Sequence, residues 1–472
     1  MTDYRTPVKK EGQLKPGCLN FIELWAQNIA LISPTMTAAL IVPLMFSNTG
    51  NLSWVSYAVG TVMLLFVAFN LNQFAKRTTG AGSMYSYTSS GLGFGGGAIC
   101  GWCLVWAYLF IGLAGTTGFT IFAGKLLGMI GFNVAPPALY AICLAACFAF
   151  AYFDIKISTL VMLALEAFSC FFITLLCLIV LGKHHFVPDT TQFSLQGASL
   201  SSLGLGVVVA VFSLVGFESS TAFGEEAVNP LKTIPRSIIW SLIATGVFFI
   251  FVCYTEVLGT HGYKDTLDKI DAPLNVLSTM YGVPILSPIL SAGAMFSFFA
   301  LALSCMNAGA RVMFAMGRHD FFHTATSKTH VKHATPHIAL AVMGLIMFFV
   351  VTISRLSGME VLDQFNDAGT MGAFGFLGAY VLITVAAPFF LKKRGELKAK
   401  DVAMCAVALV LMLIPAVGSV YPLPPAPLNY FPYIFGAYLL IGGARVMRMR
   451  TQKPQRLEEI ALEVQKLHAE AA

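Results

Sequence analysis

The chain has 472 residues, of which 57% are hydrophobic and 11% are charged, and its formal net charge is +6. Soluble globular proteins carry roughly 25% charged residues, so this composition excludes that class. Windows of roughly 20 apolar residues recur along the whole length, and each is long enough to cross the hydrocarbon core of a bilayer. We therefore expect an integral membrane protein with one large membrane domain.

Twelve apolar segments are candidate membrane spans, which we number 1 to 12 in chain order. They are rich in Leu, Ile, Val, Phe and Gly without strict alternation, which predicts α-helices and not the strands of an outer-membrane barrel. Their predicted bounds are 19–47, 54–76, 94–128, 136–154, 158–181, 202–222, 236–258, 286–318, 338–352, 362–389, 402–420 and 427–447. Residues 1–18 and 448–472 are predicted tails, and residues 455–470 have the pattern of a short amphipathic helix.

Lysine and arginine residues are unevenly distributed between the two sets of loops. If the N-terminus is cytoplasmic and the spans alternate in direction, all 29 basic residues except Lys125, Lys183, Lys264, Lys269 and Arg355 lie on the cytoplasmic side. This bias predicts two cytoplasmic termini and an even number of spans, in a plasma (inner) membrane. The basic excess then faces anionic lipid headgroups, and it gives no reason to expect a nucleic-acid partner.

Two spans contain residues that interrupt a lipid-compatible helix. Pro34 in span 1 lacks a backbone N–H and disfavours helix at Ser33, so a kink or a break is expected there. Span 6 contains Gly216-Phe217-Glu218, followed by three hydroxyl-bearing residues. Interrupted segments at matching positions of two halves indicate inverted repeats around a binding site near the membrane midplane. The pairing with span 6 therefore favours a break at Ser33 over a kink.

Several stretches resemble the amino acid–polyamine–organocation transporters. The strongest is GFESSTAFGEEAVNPLKTIPRSI at 216–238, and RTTGAGSMYSYTSSGLG at 77–93 and DIKISTLVMLALEAF at 154–168 are also similar to segments of that family. GARVMFAMGRHDFF, followed by TPHIAL, is similar over 309–340. The resemblance implies an all-α polytopic fold, with five-helix inverted repeats at about 19–181 and 202–389, two further helices over 402–447, and transport by alternating access.

The resemblance also implies where a substrate binds. The break in span 1 is expected to hold a substrate carboxylate, and the break in span 6 is expected to offer carbonyl groups to an amine, because a broken helix presents both a positive and a negative end. Phe212 is expected to cover the substrate, and the alternative is an ordinary lipid- or core-facing ring. The implied substrate-binding residues are Ser33, Pro34, Thr35, Met36, Phe212, Val215, Gly216, Phe217 and Ser219. Many relatives have a Gly-rich break in span 1, and this chain departs from that pattern.

Four residues are candidates for proton coupling or gating. Glu218 is expected behind the substrate site, and the alternative is that it caps unwound backbone. Glu166, near the middle of span 5, lies three residues before Ser169 and so on roughly the same helix face. In some proton-coupled relatives a lysine stands where this chain has Ser169. Asp367 is expected at the start of span 10, either as a cation contact or as a partner of the helix dipole, and we favour the latter.

The sequence thus predicts a secondary transporter of amino acids or related amines, coupled to protons or working by exchange, and not an enzyme. No cofactor and no metal are expected. Sodium coupling is an alternative, for which Ser297 and Ser304 on span 8 could supply hydroxyl ligands. A non-transporting sensor or partner subunit is a further alternative. Glu225 and Glu226, in the loop after span 6, form either an inner gate with Lys232 or Arg236 or a solvated surface.

Overall fold

The computed structural model describes residues 13–80, 82–194, 199–270, 272–421, 426–452 and 455. Within them, ten helical segments are long and apolar enough to cross a membrane, and the first of these, Phe21–Ala75, contains both span 1 and span 2. The described residues form no β-strand, and an isolated β-bridge joins Leu19 to Ala227. The predicted all-α membrane fold is therefore confirmed. The predicted amphipathic segment lies outside the described residues, apart from residue 455.

Each predicted span corresponds to helical structure. Span 1 consists of Phe21–Ile32, Pro34–Met36, the π-helical turn Thr37–Ile41, and Val42–Thr49. Span 6 consists of Leu200–Leu214 and the 3₁₀ turn Ser219–Ala222. The other spans, in order from 2 to 12, are Ser53–Ala75, Met84–Met129, Pro136–Phe153, Ile155–Lys183, Pro230–Gly259, Leu286–Arg318, His337–Leu356, Val361–Lys393, Ala399–Gly418 and Phe431–Gln452.

Glycine residues interrupt two of the predicted spans, and each interruption has a local cause. The segment Met84–Met129 is two helices joined across a kink at Gly93, where φ is 77°, and the predicted start of span 3 at 94 coincides with the start of the second helix. The α-helix of span 6 ends at Leu214 because Val215 is extended and Gly216 has a φ of +97°. The second half of span 6 is only a 3₁₀ turn, so the predicted pair of half-helices is replaced by one helix and one turn.

Spans 3, 8 and 10 pack closely at the centre of the domain. A Cβ atom on Gly375 of span 10 would lie 2.6 Å from the carbonyl oxygen of Cys103 and 2.8 Å from the backbone nitrogen of Ala107, both on span 3. Further along span 3, a Cβ on Gly115 would lie 2.8 Å from the backbone nitrogen of Ala302 on span 8. Small residues let membrane helices approach this closely, and the three helices form a scaffold beside the two interrupted spans.

The two faces of the domain are distinguished by the loops that they carry. Span 1 starts at the face that also holds the loop of residues 223–229 and the end of span 8, which we call the N-terminal face. The bridge between Leu19 and Ala227 joins the chain before span 1 to that loop. Span 1 ends at the opposite face.

The substitution Gly375→Ala tests the central packing. Because the new methyl group meets backbone atoms that cannot turn away, we expect a loss of about 1–3 kcal/mol in stability. The measurement is the thermal unfolding midpoint of the detergent-purified protein. Gly124→Ala, also in a helical part of span 3 but with no heavy atom within 4 Å of its new Cβ, is the matched control and is expected to keep the wild-type midpoint. Equal midpoints for both variants would contradict the packing argument.

Candidate functional site

The interruption of span 1 is a true break at Ser33. Ser33 adopts left-handed backbone angles (φ 52°, ψ 75°), and its N–H closes the preceding helix on the carbonyl of Ile29. Pro34 then begins the next helical turn, where its missing N–H leaves no helix hydrogen bond unmade. Ser33, Pro34, Thr35 and Met36 are all buried.

The interruption of span 6 directly contacts that of span 1. Gly216, at a φ of +97°, occupies a left-handed region in which a Cβ would be strained, and the side chain of Leu31 from span 1 fills the space where that Cβ would lie. The ring centroids of Phe217 and of Tyr380 on span 10 are 5.3 Å apart. Val215, Gly216, Phe217 and Ser219 are buried, as the predicted site requires.

Polar side chains of span 1 hold the unwound backbone of span 6. The side-chain oxygen of Asn28 accepts hydrogen bonds from the backbone N–H of Ser220 at 2.7 Å and from the hydroxyl of Ser219 at 3.1 Å. The Ser219 hydroxyl also approaches the carbonyl of Gln27 at 3.3 Å. Neither Gln27 nor Asn28 was among the predicted site residues, although two adjacent amides within an apolar span were an available signal.

Glu218 faces spans 3 and 10 and does not cap span 1. One carboxyl oxygen accepts a hydrogen bond from the hydroxyl of Tyr380 at 2.6 Å, and the other accepts one from Tyr108 at 3.4 Å. The backbone N–H of Gly216 donates to the same Tyr380 hydroxyl at 3.2 Å. Tyr380 therefore links the break in span 6 to the carboxyl behind it. Nothing in the local sequence marks these tyrosines, since both lie far from span 6 in the chain.

Glu166 and Ser169 lie beside the break in span 1. The hydroxyls of Thr35 and Ser169 are 2.5 Å apart. Ser297 of span 8 donates to Glu166 at 2.6 Å and lies 3.0 Å from the hydroxyl of Ser33. The second carboxyl oxygen of Glu166 is buried and has no hydrogen-bond partner in the structure. Spans 1, 5 and 8 thus meet through a chain of hydroxyls that ends on a carboxyl group.

A cavity of about 580 Å³ lies at the opposite face, between the second half of span 1, the first half of span 6 and the start of span 10. Phe212 lines this cavity, and its ring packs against Gly369 of span 10. Among the lining residues of span 6, Phe212 is nearest in the chain to the break. Phe212 therefore stands between the cavity and the buried residues around Gly216.

Asp367 lies on the wall of this cavity, away from Glu218 and Glu166. Span 10 begins at Val361, so Asp367 is beyond its first turn, and the prediction that it opens the helix is wrong. The acidic residue in the first turn is Asp363, which suits the interaction with the helix dipole. The predicted start of span 10 at 362 lies within one residue of the observed start, so the error was to interpret Asn366-Asp367 as the opening of the helix.

The N-terminal face is closed by ion pairs that the sequence did not identify. Arg311 of span 8 binds both carboxyl oxygens of Glu226, at 2.5 and 2.7 Å, and both side chains are buried. Arg318 pairs with Glu225 at 2.7 Å. The predicted gate partners Lys232 and Arg236 are therefore wrong, and the cations come from span 8.

A further ion pair at this face links the chain before span 1 to the start of span 5. Lys15 donates to Asp154 at 2.7 Å. This hydrogen bond is the main reason that the pKa of Lys15 is raised. Burial alone would raise the pKa of Asp154, but Lys15 and the backbone N–H of Lys156 outweigh it and hold that pKa below its ordinary value. Both groups are therefore charged at neutral pH.

Comparisons with known proteins agree on one family. The family model described as "Amino acid permease" matches residues 26–432. The branched-chain amino acid permease BcaP of Bacillus subtilis is 26% identical over 73% of this chain and 74% of its own length. The BcaP protein of Lactococcus lactis is 30% identical over 69% of this chain and 73% of its own length.

A solved structure shows the same fold at low sequence identity. It is the substrate-bound outward-open state of a Na⁺-coupled sialic acid symporter, with 13% identity and a TM-score of 0.55. The match covers 91% of this chain and 89% of that chain. At this identity the likeness concerns the fold alone.

The substitution Tyr380→Phe tests the link between Gly216 and Glu218. Removing the hydroxyl leaves a buried N–H and a carboxyl oxygen without their partner, and we expect a loss of about 1–3 kcal/mol in stability. The measurement is the unfolding midpoint of the purified protein. Tyr108→Phe removes the longer, 3.4 Å contact with Glu218 and serves as the control, with a smaller expected loss. A larger loss in Tyr108→Phe would contradict this assignment.

Proposed function

Because this chain belongs to the amino acid permease family, we propose that it is a secondary active transporter of amino acids or related amines, coupled to protons. The observation that carries the proposal is the direct contact between two buried helix breaks, at Ser33 and Gly216, with Glu166 and Glu218 beside them. Unwound backbone at membrane depth is tolerated where it is packed in protein or lines a site. An enzyme would need a catalytic cluster, and the proposal assigns none.

The chemistry of the breaks suits a zwitterion. The turn at Pro34–Met36 presents a helix start to an anionic group, and the helix ending at Leu214 presents carbonyl oxygens to a cationic group. A substrate with an amine and a carboxylate therefore finds one end of each polarity at adjacent positions. The two BcaP relatives are named for branched-chain amino acids, so leucine, isoleucine and valine are the first substrates to test.

The difference between the two faces supports alternating access. One face is closed by Arg311–Glu226 and Arg318–Glu225, while the other holds a cavity that reaches Phe212. With the N-terminal face cytoplasmic, as the distribution of basic residues predicts, this is an outward-facing arrangement of a plasma-membrane protein. In the proposed cycle, a substrate enters past Phe212, and the ion pairs then separate to release it inside.

The hydrogen bonds around span 8 favour protons over sodium as the coupling ion. The hydroxyl of Ser304 donates to the carbonyl of Gln27 and accepts from its side-chain amide, at 3.0 and 2.7 Å. The hydroxyl of Ser297 is held between Ser33 and Glu166. A sodium ion between spans 1 and 8 would need these oxygens to leave their partners. Glu166 and Glu218 are instead carboxyl groups that can gain and lose a proton.

Reconstitution into liposomes tests the proposed function. We expect purified protein to accumulate a labelled amino acid or amine when the outside is more acidic than the inside, with or without sodium. One pH unit is worth about 1.4 kcal/mol, so coupling to one proton supports about tenfold accumulation per unit of gradient. The panel covers branched-chain and basic amino acids and a polyamine. Folded protein that binds a substrate but moves none would support the sensor alternative, and accumulation only with sodium would support sodium coupling.

The variants Glu218→Gln and Glu166→Gln test the coupling groups. We expect each variant to bind substrate but to lose most of the accumulation that a pH gradient drives in the wild type, because an amide cannot carry a proton across the membrane. For one coupled proton, this loss is about tenfold per pH unit of the gradient. The measurements are uptake at several external pH values and a thermal-shift titration with substrate. Glu360→Gln, whose side chain is 71% exposed in the loop before span 10, is the control. Wild-type pH dependence in both variants would remove both carboxyls from the mechanism.

A further inference from the structure

A second cavity, of about 340 Å³, lies at the N-terminal face between the end of span 2 and the start of span 11. Four of its seven lining residues are basic and two are acidic. They are Gln73, Lys76, Arg77, Glu396, Lys398, Lys400 and Asp401. The wall therefore carries a net charge of +2, and the proposed transport path does not pass through this cavity.

Both acidic residues of this cavity are already bound within the protein. Glu396 accepts hydrogen bonds from Arg394 at 2.9 Å and from Arg77 at 2.7 Å, and these two guanidinium groups hold the pKa of Glu396 below its ordinary value. Asp401 is 8% exposed, and its carboxyl group accepts a hydrogen bond from the backbone N–H of Lys398 at 3.1 Å. Neither carboxylate forms an ion pair with a lysine of the wall.

The three lysines of the wall have no acidic partner. Among the ion pairs of the described residues, none includes Lys76, Lys398 or Lys400, and all three residues are exposed. Arg77 is held between them, because it donates to Gln73 at 2.9 and 3.0 Å as well as to Glu396. Three free ammonium groups beside a fixed guanidinium suit an anion with several oxygen atoms, and phosphate is the common one at a membrane surface.

The helices that form the cavity favour a lipid as the source of this phosphate. Further along both helices, the side-chain amide of Asn70 on span 2 approaches the carbonyl oxygen of Met404 on span 11 at 3.4 Å. Phe69 on span 2 is 41% exposed and Val402 on span 11 is 47% exposed. In a membrane such apolar side chains contact acyl chains. A phospholipid can therefore place its phosphate in the cavity while its chains stay within the bilayer.

We propose that this cavity binds the phosphate group of an anionic phospholipid from the leaflet at the N-terminal face, with Lys76, Arg77, Lys398 and Lys400 as its cationic contacts. A lipid of net negative charge is favoured over a zwitterionic one, because the wall has a net positive charge and three lysines without partners. The bound lipid joins the end of span 2 to the start of span 11, so it stabilises the folded protein by mass action. This inference does not depend on transport.

Thermal unfolding of the purified wild-type protein in detergent micelles tests the class of ligand. The probes are phosphatidylglycerol, which is anionic, phosphatidylcholine, which is zwitterionic, and inorganic phosphate, all at the same concentration. We expect phosphatidylglycerol to raise the unfolding midpoint and the other two to leave it unchanged. An equal rise with phosphatidylcholine would overturn the role of charge. An equal rise with inorganic phosphate would identify a soluble anion as the ligand and overturn the lipid proposal.

The double variant Lys398→Gln, Lys400→Gln tests the location of the site. Both side chains are exposed, so we expect the variant to fold and to keep the wild-type midpoint in phosphatidylcholine. The loss of two lysine charges should weaken the binding of phosphatidylglycerol about thirtyfold. The measurement is the concentration of phosphatidylglycerol that gives half of the maximal rise in midpoint, and native mass spectrometry counts the lipids that stay bound.

The matched control is the double variant Lys232→Gln, Lys328→Gln. It removes the same charge from exposed positions at the same face, but neither lysine lines the cavity. We expect this control to bind phosphatidylglycerol as the wild type does. Equal weakening in both double variants would show a general attraction of the basic face for anionic lipid and would overturn the proposed site. Wild-type affinity in Lys398→Gln, Lys400→Gln would overturn it as well.

Discussion

The whole site depends on one constraint, namely that backbone N–H and carbonyl groups at membrane depth must find partners within the protein. Two broken spans release several such groups, and each break is stabilised by residues from other spans. Asn28 of span 1 accepts a hydrogen bond from the N–H of Ser220, and Tyr380 of span 10 accepts one from the N–H of Gly216. The side-chain amide of Asn28 in turn donates to Ser241 of span 7, and Tyr380 belongs to the scaffold of spans 3, 8 and 10. The breaks are therefore features of the assembled bundle and not of either helix alone.

The same constraint orders the buried carboxyl groups by the donors that each receives. Glu226 receives a bidentate guanidinium, Glu218 two hydroxyls, Glu166 one hydroxyl, and Glu256 none. A carboxylate that is fully bound by an arginine serves to fasten two elements together. A carboxyl with few donors depends on a proton for neutrality. In the proposed mechanism, fastening and proton exchange thus belong to different carboxyl groups of one domain.

The sequence predicts those features whose cause is local. Pro34 and the Gly216–Glu218 triplet interrupt apolar runs, and their pairing allowed both breaks to be predicted, whereas a proline alone does not suffice, since Pro388 and Pro415 lie inside helices. The partners of the breaks could not, because Tyr108 and Tyr380 come from spans that are distant in the chain and have no distinctive motif around them. The 3₁₀ turn after Glu218 was missed because three hydroxyl residues are compatible with a helix, and only the contacts with Asn28 show why helix does not resume.

Glu226 gives the N-terminal face a mechanical property. Its side chain binds Arg311 of span 8, while its backbone carbonyl accepts hydrogen bonds from the N–H groups of Cys18 and Leu19. One residue of the loop after span 6 thus couples the beginning of span 1 to span 8. A displacement of any of these three elements pulls on the other two, so in the proposed cycle Glu226 favours a concerted opening of this face. A partial, leaky opening that would let ions slip through is disfavoured by the same residue that closes the face.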